Sequence, residues 1–147
     1  MKHPRLAVRA LIVEEDRLLL VNAYPDRKSD LWCAPGGGVE AHASLPENLM
    51  REVFEETGLT ISVGGLAGVN EFHAPDGSFH QIDLYFRASV ARGVIDETWR
   101  DPEGVVNRWR WTDRAALATL RHKPDSLASM AFGDGSALYD PLEPIVV

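Results

Sequence analysis

The sequence is short of cysteine, of positive charge and of long apolar runs. Cys33 is its only cysteine, so an internal disulfide framework is excluded. Lysine and arginine together number 15 against 22 aspartates and glutamates, which gives a net charge of −7. A surface that binds long nucleic acid or an anionic membrane by charge normally carries a basic excess, so neither partner is expected. Because no apolar run is long enough to span a bilayer, we expect a cytoplasmic protein.

Hydrophobic residues, by contrast, make up 45% of the chain, enough for a substantial core in one domain over residues 1–147. The runs "LAVRALIV" and "RLLLVNA", separated by "EED", predict a β-hairpin. Both runs are apolar at nearly every residue, so the sheet is expected to be covered on both faces. Strands are also predicted for "WCAP", "FHQIDLYFRASV" and "NRWRWT", and a strand followed by a turn for "TISVGGLAGV". A helix is predicted for "DRAALATL" and an extended tail from Gly133. Few helices and many strands predict a mixed α/β or α+β domain.

The strongest local signal is a helix from about Leu45 to Thr57. Ser44 and Glu47, three positions apart, form a capping box at its start, and Pro46 is tolerated in the first turn. Gly58 supplies the residue in left-handed conformation that ends it. The sequence therefore predicts both ends of this helix.

Three carboxylates, Glu52, Glu55 and Glu56, crowd the second half of the predicted helix beside Arg51. Like charges three and four residues apart repel, and the negative end of the helix dipole opposes them further. Hard divalent cations take oxygen ligands, so the cluster predicts a magnesium or manganese site with positions left open for substrate phosphates. A solvated acidic face with an ordinary Arg51–Glu55 ion pair is the alternative interpretation.

The segment from Gly37 to Leu59 resembles the Nudix box. That pattern is a glycine, five residues, a glutamate, seven residues and then Arg-Glu-apolar-any-Glu-Glu-any-Gly-apolar. Its later positions are filled by Arg51, Glu52, Val53, Glu55, Glu56, Gly58 and Leu59. One position departs, because Ala43 stands where the pattern has its first glutamate. The strand order around the box, Trp32 before "PGGG" and the aromatic strand after it are also similar to a Nudix domain.

The resemblance implies a Nudix-like α/β/α sandwich with a mixed sheet and the box helix packed on it. It implies a hydrolase that uses Mg2+ or Mn2+ to cleave a diphosphate linkage in a nucleoside diphosphate joined to another group, and relatives frequently pair as homodimers. The implied catalytic residues are Glu52 as first choice for the general base, Arg51 to orient it, and Glu55. The implied metal shell consists of the Gly36 carbonyl, in the turn before the helix, and Glu52, Glu55, Glu56 and Glu103. Asp101 and Glu97 are alternatives to Glu103.

The alanine at position 43 leaves two functions open. The resemblance implies that a glutamate here pairs with Arg51 and helps to hold the catalytic carboxylates. Loss of such an orienting group weakens metal binding or rate by about ten- to a hundredfold, so we expect a slower or more metal-demanding hydrolase. Glu40, three residues earlier, is a candidate partial substitute. The alternative is a non-catalytic Nudix-fold domain that binds a nucleotide or regulates a partner.

Two further features allow a structural interpretation. Cys33, between Trp32 and Ala34, is expected on a buried strand as an inert thiol. Trp109 and Trp111 share one face of a predicted strand, where they form either core or a wall on which a base stacks.

Overall fold

The computed structural model describes residues 3–147, in which a mixed sheet carries helices on both faces. The strands are β1 Arg5–Glu14, β2 Arg17–Asn22, β3 Trp32–Cys33, β4 Gly36–Gly38, β5 Thr60–His73, β6 His80–Arg92, β7 Trp109–Asp113 and β8 Leu138–Pro144. The helices are α1 Leu45–Thr57, α2 Arg114–Leu117 and α3 Leu127–Phe132. The sheet order is β3-β2-β1-β6-β5-β8, with β4 paired to β1 and β7 paired to β2. The predicted fold class, a mixed sheet covered by few helices, is confirmed.

Strand direction shows how the sheet is mixed. The predicted hairpin is present, since β1 and β2 pair antiparallel with Glu14 opposite Arg17. β1 also runs parallel to β6, with Arg5 opposite Gln81, and β5 runs parallel to β8. β1 therefore lies in the middle of the sheet, which brings the start of β6 next to the start of the chain.

Burial on both faces explains why the first strands do not alternate in polarity. Ile12 of β1 belongs to the core cluster that contains Leu49 and Val53 of α1. Its neighbour Leu11 points the other way and belongs to a second cluster with Met130 of α3. All five side chains are at most 2% exposed. The box helix α1 thus packs on one face of the sheet, and α2 and α3 cover the other.

The ends of α1 are those expected from the sequence. The Ser44 hydroxyl accepts a hydrogen bond from Glu47 N at 3.1 Å, and the Glu47 carboxylate accepts one from Ser44 N at 3.3 Å. Gly58 ends the helix with φ of 74°. Across residues 3–147, no helix combines the length and the apolar character needed to cross a bilayer.

Three details differ from the prediction. Gly36 lies in strand β4, paired with Arg9, and not in a turn before the helix. The segment from Thr60 is one strand of 14 residues, because β-bulges carry it through the glycines where a turn was expected. Helix α3 was not predicted, since its six residues are too few to show a helical period.

Candidate active site

Three carboxylates meet beside α1, and two of them, Glu52 and Glu103, line one end of a cleft. Oxygen atoms of Glu52, Glu55 and Glu103 all lie within 4.8 Å of one another. α1 supplies the first two, on successive turns, and the loop between β6 and β7 supplies the third. Glu52 is only 6% exposed, whereas Glu103 is open to solvent. The site is therefore buried on the helix side and open on the loop side.

Trp99 attaches the loop between β6 and β7, here called the acidic loop, to the end of α1. Its indole Nε1 donates a hydrogen bond to the Glu55 carbonyl oxygen at 2.8 Å. Its ring packs edge-on against Phe54, with the ring centroids 5.3 Å apart. A Cβ atom on Gly58 would lie 2.8 Å from the Trp99 ring, so only glycine leaves room for this contact. The helix end and the loop are thus fixed to each other.

Of the three loop acids considered from the sequence, only Glu103 joins the cluster. The Asp101 carboxylate accepts hydrogen bonds from Glu103 N and Val106 N, both at 2.9 Å, so it shapes the loop. Glu97 is exposed and lies outside the group. The structure therefore places Glu103, and neither alternative, among the three carboxylates.

Arg51 lies over the same carboxylates. Its Nη1 donates to Glu52 Oε1 at 2.9 Å and lies 3.6 Å from Glu55 Oε1. Burial raises the pKa of Glu52, although the hydrogen bond from Arg51 acts in the opposite direction. Arg51 Nη1 is also 3.8 Å from Glu40 Oε1, so the loop acid suggested as a substitute at position 43 does approach it. Ala43 itself is exposed and offers no side-chain oxygen.

Asn48 is a site residue that sequence reasoning missed. It is 1% exposed, and its Oδ1 accepts hydrogen bonds from Arg51 Nη2 at 2.9 Å and from Glu40 N at 2.8 Å. Its Nδ2 donates to the carbonyl oxygens of Ser44 at 2.9 Å and Ala43 at 3.2 Å. The only signal in the sequence was a polar residue next to the apolar stripe of α1, one turn before Glu52.

Glu56 and Gly36 lie together beside the group of three clustered carboxylates but do not belong to it. Glu56 Oε2 accepts a hydrogen bond from Gly36 N at 3.1 Å. Burial raises the pKa of Glu56 to about 8, and the nearby positive charge of Arg9 opposes this shift. Glu52 lies against Gly37, and a Cβ at that position would displace the Glu52 carboxylate because the two would overlap. Roles for Glu56 and for the Gly36 carbonyl in binding metal stay predictions.

The cleft has a volume of about 640 Å³ and extends from Glu52 and Glu103 towards Phe72 and Phe79. These two aromatic side chains are half-buried, and their ring centroids are 5.9 Å apart. Gln81, 1% exposed, lies along the wall. The cleft thus has an acidic end and an aromatic end.

Buried polar groups on this wall are already paired with one another. Gln81 accepts a hydrogen bond from Arg5 Nη1 at 2.5 Å and donates one to Asp83 Oδ1 at 2.7 Å. Arg9 Nε lies 3.9 Å from Asp83 Oδ2. Residues of β1 and β6 therefore form one polar network, which sequence reasoning missed because their pairing is long-range.

The two tryptophans of β7 and the single cysteine contribute to the structure and not to the acidic site. Trp109 and Trp111 pack against the core cluster beneath α1, and neither lines the cleft. Trp109 Nε1 donates to the Glu56 carbonyl oxygen at 2.9 Å, which fixes the last turn of α1. Cys33 is partly exposed at the cleft wall, not buried, because β3 is a short strand of two residues at the sheet edge. Although part of the residue is exposed, the protein atoms around the thiol shield it from water and raise its pKa to about 11, as expected for an inert group.

A model of the NUDIX domain family matches residues 3–131. The ADP-ribose pyrophosphatase of Methanocaldococcus jannaschii is 33% identical over 93 residues, which cover 63% of this chain and 55% of that protein. The human diphosphoinositol polyphosphate phosphohydrolase 3-alpha is 32% identical over 114 residues, which cover 75% of this chain and 64% of that protein. A solved structure of a NUDIX hydrolase from Nitrosomonas europaea is similar with a TM-score of 0.68 at 25% identity, over 87% of this chain and 86% of that one.

The match of the family model takes in the whole box segment, both flanking strands and the acidic loop. The chain spans 55% and 64% of the length of the two named relatives, which differ from each other in substrate by their names. The resemblance found in the sequence is confirmed at the level of the family and its fold. The chain therefore belongs to the Nudix hydrolase family.

Proposed function

We propose that this protein is a divalent-metal-dependent pyrophosphohydrolase that cleaves a diphosphate linkage in a nucleoside diphosphate joined to another group. The observation that carries the proposal is the convergence of Glu52, Glu55 and Glu103 within 4.8 Å at the end of the cleft. Two of the acids come from α1 and one from a distant loop, so helix periodicity alone does not explain their meeting. The pyrophosphatase named among the relatives supports the reaction class.

The donor set fits a hard divalent cation. All three groups offer carboxylate oxygens, the ligands that Mg2+ and Mn2+ prefer over nitrogen or sulfur. Arg51 brings only one positive charge to the group, so further compensation is needed. When bound, Mg2+ or Mn2+ would neutralise diphosphate charge and lower the pKa of a coordinated water.

Residues of the chain divide the remaining work. Glu52 is the proposed general base, because burial raises its pKa and so improves its affinity for a proton taken from water. Arg51 orients that carboxylate through the 2.9 Å hydrogen bond. Glu55 and Glu103 are proposed as metal ligands, together with Glu56 and the Gly36 carbonyl. The hydrogen bond from Gly36 N at 3.1 Å holds the Glu56 carboxylate beside that residue.

The cleft favours a nucleoside over an inositol polyphosphate. A highly phosphorylated ring needs several free cations, but Lys123 already pairs with Asp125 at 3.0 Å and with Glu143 at 3.2 Å. Within residues 3–147, the other two cations that line the cleft are Arg5 and Arg9, and both are tied into the Gln81–Asp83 network. Phe72 and Phe79 offer ring faces and edges to a base, which stacks without needing charge.

A substrate panel with matched variants tests the proposal. ADP-ribose, sugar nucleotides, dinucleoside polyphosphates, oxidised nucleoside triphosphates and a diphosphoinositol polyphosphate are incubated with Mg2+ or with excess chelator. We expect nucleoside monophosphate release with Mg2+ only, and a rate about 10² to 10⁴ lower in Glu52→Gln. Glu97→Gln, a neighbouring loop acid outside the cluster, is the control and keeps its rate.

The outcomes separate the alternatives. Turnover in excess chelator contradicts the metal mechanism. Nucleotide binding with no turnover of any compound favours the non-catalytic domain. Cleavage of the diphosphoinositol compound alone contradicts the nucleoside assignment.

The proposal also includes one domain over residues 1–147, a cytoplasmic location and pairing as a homodimer. The single cysteine, Cys33, suits a reducing compartment because the chain cannot form an internal disulfide. Light scattering of the purified protein checks the dimer, for which a monomer mass would be the contrary result.

A further inference from the structure

We propose that Asn48 is a positioning residue for the reaction: it holds Arg51 in the orientation that Glu52 requires, and so replaces the carboxylate that is missing at position 43. The inference rests on the proposed function, because it assigns a role in arranging that site. It explains how the chain departs from the Nudix box at Ala43 and still presents an ordered group of Arg51, Glu52 and Glu55.

The surroundings of Asn48 fix the direction of its amide. Two donors, Arg51 Nη2 and Glu40 N, face Oδ1 at 2.9 and 2.8 Å. Three carbonyl oxygens face Nδ2, at distances of 2.9 to 3.2 Å, and belong to Glu40, Ala43 and Ser44. Reversing the amide would set donors against donors and acceptors against acceptors. The acceptor Oδ1 is therefore directed at Arg51 by the loop before the helix.

Arg51 is held at both ends of its guanidinium group. Nη2 donates to Asn48, and Nη1 donates to Glu52 at 2.9 Å. A planar fork with two fixed ends has one orientation, which fixes the carboxylate it bonds. Without Asn48, the partners of Arg51 besides Glu52 would be Glu40 and Glu55. The Glu40 side chain is 74% exposed and 3.8 Å away, so it exerts little hold.

A neutral amide suits this place better than another acid. Glu40, Glu52 and Glu55 already lie within 4.0 Å of Arg51 Nη1. A further carboxylate would compete with them for one positive charge, whereas an amide oxygen accepts from Nη2 and adds no charge. Asn48 thus orients Arg51 and leaves its charge to the catalytic carboxylates.

Two substitutions at position 48 separate positioning from stability. Asn48→Ala removes both the acceptor for Arg51 and the donor to the loop. Asn48→Asp keeps an oxygen for Arg51 but loses the donor to the Ala43 and Ser44 carbonyls. We expect both variants to melt at lower temperature than the natural protein. In Asn48→Ala, kcat with Mg2+ and the affinity for Mn2+ measured by calorimetry should each fall about ten- to a hundredfold.

Asn48→Asp keeps an acceptor for Arg51 but adds a fourth carboxylate near it, so kcat and Mn2+ affinity should each fall by less than about tenfold despite the lower melting temperature. This variant also decides the question if Asn48→Ala does not fold. A fall of about tenfold or more in Asn48→Asp would overturn the proposal, since a merely structural role predicts losses that follow the melting temperature.

A third comparison tests whether Asn48 acts through Arg51. Adding Asn48→Asp or Asn48→Ala to Arg51→Ala should lower Mn2+ affinity no further than Arg51→Ala does alone, and effects that multiply would overturn the proposal. Calorimetry with Mn2+ needs no turnover. Absence of hydrolysis by the natural protein would therefore reject the proposed function, while the Mn2+ affinities of the variants still judge Asn48.

Discussion

The two ends of the cleft differ in how the chain brings their residues together. The acidic end rests on α1, where a capping box, a helical period and a terminating glycine set the spacing of Glu52 and Glu55 within 13 residues. The aromatic and polar end rests on β1, β5 and β6, where Arg5 meets Gln81 across 76 positions of sequence. Side chains that one helix brings together can be predicted from their spacing in the sequence. Side chains that meet only because distant strands pair cannot be predicted in this way.

Among the variants that test this contrast, the largest effect is expected at Glu103, which a distant loop brings to the carboxylates of α1. Glu103→Gln should raise the Mg2+ concentration for half-maximal rate by about ten- to a hundredfold, because an amide oxygen replaces one of three anionic donors. The measurement is a rate titration with Mg2+ at saturating substrate.

Glu97→Gln is the matched control, since it changes the same charge in the same loop outside the cluster. Equal shifts in the two variants would mean that Glu103 contributes only a diffuse field. In that case only residues of α1 would bind the metal at the acidic end, and no long-range contact would be needed there.

The same contrast marks how far the sequence predicted the structure. Helix α1 was predicted from Leu45 to Thr57 and has those bounds, because Ser44, Glu47 and Gly58 act locally. The neighbourhood of Glu103 was predicted only with Asp101 and Glu97 as alternatives. Glu103 could be told apart from Asp101 only in the structure, where the Asp101 carboxylate accepts hydrogen bonds from backbone amides of its own loop. No sequence pattern predicts those bonds.

Asn48 and the polar network on the sheet were not predicted at all. Asn48 makes its contacts through a loop whose path is set by folding, and Arg9 meets Asp83 only because β1 lies beside β6. A polar residue in an apolar strand gives no sign of its partner. Such groups are visible only once strand order is known.

An intermediate effect is expected at the aromatic end. Phe79→Ala should raise KM about tenfold and leave kcat nearly unchanged, because a stacked base contributes about 1–3 kcal/mol and does not take part in the reacting bond. The measurement is steady-state kinetics on whichever nucleotide derivative is the best substrate in the panel. Tyr139→Ala is the control, since Tyr139 is exposed and lies outside the cleft lining.

A fall in kcat with unchanged KM in Phe79→Ala would contradict base stacking. It would place this wall closer to the reacting phosphates than the geometry suggests. Both ends of the cleft would then contribute to the chemical step.

The last prediction concerns stability and not rate, at Glu56, where burial raises the pKa to about 8 from an ordinary 4.5. Between these values the folded protein binds a proton that the unfolded chain has released. Stability is therefore greatest below pH 4.5 for this group and is lost as pH rises through about 8, by at most about 1.4 kcal/mol per pH unit. Glu56→Gln removes this dependence, because a neutral amide oxygen still accepts from Gly36 N.

Thermal melts in excess chelator check this expectation at pH 5 and pH 8. Glu56→Gln should match the natural protein at the lower pH and melt higher at the upper one. Three pH units at about 1.4 kcal/mol each set a limit of about 4 kcal/mol, and about 1 kcal/mol corresponds to roughly 2–4 °C in a domain of this size, so the shift is at most about 8–16 °C. Glu97→Gln should retain the natural slope. Added Mg2+ should reverse the order at pH 8 if Glu56 belongs to the metal shell, because only the carboxylate gains a charged partner. Identical melts for Glu56→Gln and the natural protein at both pH values would mean that Glu56 is already ionised in the fold, with Arg9 outweighing burial.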